Sequence, residues 1–118
     1  MKTRYGFVSN SSSTSFLIVY KQEAFDKLPA YCLNLDRMVE NYGDEVSRDV
    51  GEIVEKLERA KEWMHDPSIY DAMIKKVREL DGKGYCILAL DADYHSMLED
   101  YLRGLSEEGV IKILMEES

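Results

Sequence analysis

A chain of 118 residues, 45% apolar and 32% charged, has the size and composition of one folded domain, residues 1–118, with its own core. Its net charge of −8 argues against direct nucleic acid binding, which needs a lysine- and arginine-rich surface. No apolar run approaches the roughly 20 residues that cross a bilayer, and a polar serine tract stands where a secretory leader would be apolar. The expectation is a cytoplasmic protein without a membrane partner.

Residues 1–15 form a Ser- and Asn-rich segment, and residues 9–14 read as a loop because Ser and Asn compete for backbone hydrogen bonds. Phe16 to Tyr20 is continuously apolar and predicts a strand covered on both faces. Gln22 to Leu28 and Leu35 to Tyr42 read as short helices, with Gly43 capping the second and Asp44 starting the next. Val46, Val50, Ile53, Leu57, Ala60 and Met64 then make one helical stripe over residues 45–65. Packing on the domain's own core is the expectation, and a homodimer seam along residues 46–64 is the alternative.

Asp66-Pro67 restarts a helix that turns Ile69, Met73, Val77 and Leu80 inward, and Asp81-Gly82-Lys83-Gly84 stops it. Tyr85 to Leu90 is a second buried strand ending at Asp91-Ala92-Asp93. A helix over residues 94–105 buries Met97, Leu98, Tyr101, Leu102 and Leu105. Val110 to Met115 is a third strand, interrupted by Lys112 as befits an edge. The fold class is therefore α/β, with α+β as the variant. It comprises a small three-stranded sheet, with strands near 16–20, 85–90 and 110–115, and four to five helices. The last strand–helix–strand run is a βαβ unit whose two strands are parallel. The direction of the first strand is not readable, yet it decides whether the serines and the strand-end acids share one end of the sheet.

Asp91, Asp93 and His95 are the candidate metal ligands. Alternating carboxylates at the end of a buried strand suit a hard cation such as Mg²⁺. The plainer alternative is that Asp93 caps the following helix and Asp91 complements its positive end. Cys32 and Cys86 sit in apolar surroundings without metal spacing and read as free thiols. Neither a glycine-rich phosphate loop nor a Gly-x-Ser-x-Gly elbow occurs.

The segment Lys2-x-Arg4-x-Gly6-Phe7-Val8-Ser9-Asn10-Ser11-Ser12-Ser13-Thr14-Ser15-Phe16 resembles an N-terminal signature shared by small, otherwise dissimilar, uncharacterised proteins of bacteria, archaea and their viruses. The resemblance implies a microbial or viral origin and carries no activity with it. Ser9, Asn10, Ser11, Ser12, Ser13, Thr14 and Ser15 are the candidate recognition residues, either as a tag read by another protein or as a loop anchored by Phe7, Val8 and Phe16. The functional expectation is a non-catalytic accessory or protein-interaction protein. It would work through that signature or through the acidic last quarter of the chain, where eight acids face Arg103 and Lys112. The alternative is a Mg²⁺-dependent enzyme that acts on a phosphorylated substrate through Asp91 and Asp93.

Overall fold

The computed structural model describes residues 13–26, 29–63, 66–93 and 96–117, with the backbone alone at 26 and 29–34. Its elements run β1 (Ser13–Tyr20), α1 (Gln22–Asp26), α2 (Pro29–Tyr42), β2 (Gly43–Ser47), α3 (Val50–Lys61), α4 (Ser68–Leu80), β3 (Cys86–Asp93), α5 (Met97–Glu107) and β4 (Lys112–Glu117). The sheet order is β2-β3-β1-β4, and every neighbouring pair is antiparallel. Mixed α/β architecture is thus as expected, but the sheet has a fourth strand among the described residues.

β1 is the axis of the molecule. Its alternating side chains supply both cores, as a strand buried on two faces must. Phe16, Ile18 and Tyr20 point to one layer with Leu88 and Leu90, where Phe25 of α1, Leu35 and Val39 of α2, and Leu98, Leu102 and Leu105 of α5 cover them. Leu17 and Val19 point to the other with Ile87 and Ala89, beneath Ile53, Leu57 and Ala60 of α3 and Tyr70, Ile74 and Val77 of α4. Each such large side chain contributes about 1.5–3 kcal/mol by leaving water.

The added strand, β2, occupies residues that the local pattern assigned to helix ends. Gly-Asp-Glu-Val-Ser has one apolar residue, and that residue, Val46, is 39% exposed. Glu45 has φ +52°, a conformation unusual outside glycine. Pairing with β3 holds the strand across an irregular register, and Lys56 Nζ of α3 donates to the Glu45 carbonyl. Consequently α3 begins later than expected and is capped by Asp49, whose carboxylate accepts from Glu52 N at 3.1 Å, not by Asp44. The stripe loses Val46 but keeps Ile53, Leu57 and Ala60 buried in the chain's own core.

Other boundaries move for similar reasons. β1 starts at Ser13, so Ser13 and Thr14 are strand, not loop. β3 continues through Asp93, which places the acids within the ladder and not beyond it. β4 spans 112–117; Val110 and Ile111 are buried in the turn before it. β3 and β4 run parallel to each other, as the βαβ reading requires, but β1 lies between them and hydrogen-bonds to both. In α4 Val77 is buried and Met73 and Leu80 are half-buried against the core as expected, but Tyr70 and Ile74 are buried with them and Ile69 is exposed. The reversal before β3 uses Gly82 and Gly84 at φ +76° and +85°, the freedom the paired glycines suggested.

Candidate functional site

The antiparallel register of β1 and β3 answers the question the sequence left open. Ser13 lies opposite Asp93, Thr14 opposite Ala92 and Ser15 opposite Asp91. Ser13 to Ser15 and the acids of β3 therefore meet at one end of the sheet.

On the α3–α4 face, Ser15 Oγ donates to Asp91 Oδ1. Both residues are buried, Asp91 to 1% exposure. This carboxylate is electrostatically coupled to Lys56 of α3. Burial holds the Lys56 ammonium below its ordinary range, and the carboxylates of Glu45, Asp91 and Glu52 oppose that shift. Ser13, on the same face as Ser15, is 3% exposed, and its hydroxyl has no hydrogen-bond partner among the described residues. Asp93, two residues beyond Asp91, is exposed.

On the α5 face, Thr14 Oγ1 donates to Glu99 Oε2 at 2.9 Å. Glu99 is only 7% exposed and sits in the first turn of α5, behind a Ser96 cap whose hydroxyl accepts from Glu99 N at 3.1 Å. Ser96 thus takes the capping role expected of Asp93. Arg103, one turn further on, approaches Glu99 at 3.9 Å and grips Glu116 of β4 with two bonds of 3.0 and 2.6 Å. Its guanidinium lies 5.7 Å from the Phe16 ring centroid. The Glu116 carboxylate raises the Arg103 pKa further above an already high value.

These contacts account for much of the acidic last quarter. Asp91 and Glu99 are buried against hydroxyls, Glu116 is paired with Arg103, and Glu117 accepts from the Tyr70 hydroxyl. Asp93, Asp100, Glu107 and Glu108 remain exposed. Of the sequence-predicted site residues, the structure brings Ser13, Thr14, Ser15, Asp91 and Asp93 together. His95, Ser9, Asn10, Ser11 and Ser12 lie outside the described residues, as do His65 and the Cys32 side chain. Among the described residues no group of three or more His, Cys, Asp or Glu side chains is placed to hold a metal ion.

Glu99 and Lys56 were not anticipated as partners. The spacing Ser96-x-x-Glu99 reads as a capping box, which would turn the glutamate back on its own helix. Its position between the buried Leu98 and Leu102 was the available signal that it faces inward.

No family model, no curated protein and no solved structure matches this chain. No helix among the described residues is long and apolar enough to cross a membrane.

The Tyr70–Glu117 contact gives a pH signature. Burial first, and the neighbouring Glu117 carboxylate second, push the Tyr70 phenol well above its ordinary value. The folded state therefore keeps a proton that the unfolded chain releases near pH 10, so stability is full below about pH 10 and falls above it. Tyr70→Phe is expected to shrink the stability loss between about pH 9 and pH 11, measured by urea unfolding at each pH. Tyr20, also shifted upward chiefly by burial, supplies the part of the alkaline loss that persists in that variant.

Proposed function

We propose that this is a non-catalytic accessory protein that acts by binding another protein, and that the α2–α5 face makes the contact. The observation that supports this reading is Met97. It is 63% exposed in the first turn of α5, where helical periodicity would bury it. With half-buried Met38 of α2, Tyr101 and exposed Asp100 it lines an open hollow of about 590 Å³. Methionine and tyrosine side chains adapt to varied apolar partners, and exposed apolar groups with a charged rim mark protein contacts. The rim is acidic: Asp100 lies beside the hollow, Glu107 ends the same helix and Glu108 caps it, and Arg103 is occupied by Glu116. The partner that fits is a protein segment with an apolar anchor flanked by lysine or arginine.

Within the N-terminal signature, Ser13, Thr14 and Ser15 are committed to the sheet. Their burial supports a structural role for these three, and any recognition through the tract would fall to the residues before them. The magnesium reading rests on Asp91 and Asp93, of which one is buried against Ser15 and the other is exposed, so the interaction reading is preferred.

A photo-crosslinking residue at Met97, with one at exposed Glu79 of α4 as the control, tests the proposal in lysate of the native host. A discrete adduct from position 97, weakened about tenfold by Asp100→Lys as charge reversal at a rim demands, is the expected result. Equal labelling from both positions, or none from 97, would overturn it.

A further inference from the structure

A second and larger hollow, of about 840 Å³, opens at the opposite end of the sheet from the serine–carboxylate contacts. It lies where β1 ends, β3 begins, α3 starts and α4 stops. Val50, Val54 and Ile87 give it apolar walls, and Tyr20 and Tyr85 supply flat ones. Arg48 and Arg78 enter from opposite elements, the α3 approach and the last turn of α4. Volumes of about 300–1,000 Å³, mostly apolar with a few placed polar groups, are those of small-molecule sites.

The charges are not equivalent. Arg48 is held by Asp36 at 3.1 Å and by the Tyr20 hydroxyl at 3.4 Å, which fixes its guanidinium at the wall. The Arg78 guanidinium makes no ion pair or hydrogen bond among the described residues. Outside the lining, Lys21 Nζ lies 5.0 Å from the Tyr85 ring centroid. Of the two acids at the hollow, Asp49 spends its carboxylate capping α3, while Asp81 stands at the end of α4. In a chain of net charge −8, the lining of this hollow is balanced, with Arg48 and Arg78 set against Asp49 and Asp81. A free arginine fork in such a place matches the oxygens of a carboxylate or phosphate.

From this we infer that the hollow between Arg48 and Arg78 binds a small organic anion, a carboxylate or phosphate monoester carried on a flat apolar body. The body lies against Tyr20, Tyr85 and Val54, and the anionic group meets Arg78. This site is separate from the α2–α5 face and does not depend on the interaction reading.

Cys86, a half-buried free thiol in the lining, provides the readout. The full-length protein is alkylated with iodoacetamide, and modification is counted at the Cys86 peptide by mass spectrometry, which separates it from Cys32. Phenyl phosphate, benzoate, benzylamine and benzyl alcohol are each added. A probe with Kd on the order of 1 mM, present at ~10 mM, slows alkylation about tenfold. Protection by phenyl phosphate or by benzoate, absent with the amine and the alcohol, is expected, and which anion protects decides between phosphate and carboxylate. Arg78→Gln, an exposed position, is expected to abolish protection without changing the unfolding midpoint. Protection by benzylamine equal to that by the anions, which would point to Asp81 instead, overturns the inference. So does protection that survives Arg78→Gln, or no protection by either anion.

Discussion

Ser15→Ala is expected to destabilise the fold by about 2–4 kcal/mol, whereas Ser13→Ala, two residues away on the same face, leaves stability unchanged or raises it by up to about 1 kcal/mol. The two serines differ in one respect that matters. Ser15 Oγ donates to a carboxylate that is itself buried, so its loss strips a donor from a charge that water cannot reach. Ser13 Oγ is buried with no partner among the described residues, so the fold already bears the cost of drying it. Removing that hydroxyl removes the cost. Asp91→Asn, which can still accept from Ser15, should fall between them at about 1 kcal/mol, since the charge goes but an acceptor stays. Urea unfolding of the three variants, read as midpoint shifts at constant slope, tests the order. If Ser15→Ala falls within about 0.5 kcal/mol of wild type, as surface substitutions do, the serines are not fastening β1 and a purely recognitional tract is the better account.

The contrast shows where the sequence was legible and where it stopped. The runs Phe16–Tyr20 and Ile87–Leu90 declare themselves because both faces of each strand are apolar, and that needs no knowledge of neighbours. The stripe Ile53, Leu57, Ala60 is equally local, so the middle of α3 was readable, while both its start and its end at Lys61 were not. Polar strand residues are different. Thr14 and Ser15 look like loop because nothing nearby in sequence can satisfy them, and their partners, Glu99 and Asp91, lie more than 70 positions away. β2 failed in the same way, since its one apolar residue is exposed and its backbone is held by β3 and Lys56. Strand direction had to wait for the structure, because a buried strand of either sense has the same composition. The acidic face shrank for a related reason: charges counted along the chain include those the fold turns inward.

Leu57→Ala is expected to cost about 2–5 kcal/mol, and the unfolding midpoint of wild type and variant alike should not depend on protein concentration. Leu57 is fully buried at the centre of α3, among the α4 and sheet residues Tyr70, Ile74, Val77, Leu17 and Ile87. Truncating it removes transfer energy and leaves a cavity that two packed layers cannot easily close. A homodimer through the 46–64 stripe predicts something else. Association would supply part of the stability, and the midpoint would climb as the chain is taken from about 5 to about 200 μM. Val46 separates the two accounts further. It belongs to the stripe by spacing but stands on β2, half-exposed, so Val46→Ala should stay within about 0.5 kcal/mol if the stripe is core. In a seam between copies it would be one of the anchoring knobs, and its loss would weaken the dimer along with Leu57. A concentration-dependent midpoint with both substitutions costly would therefore move this helix from the domain's core to an interface.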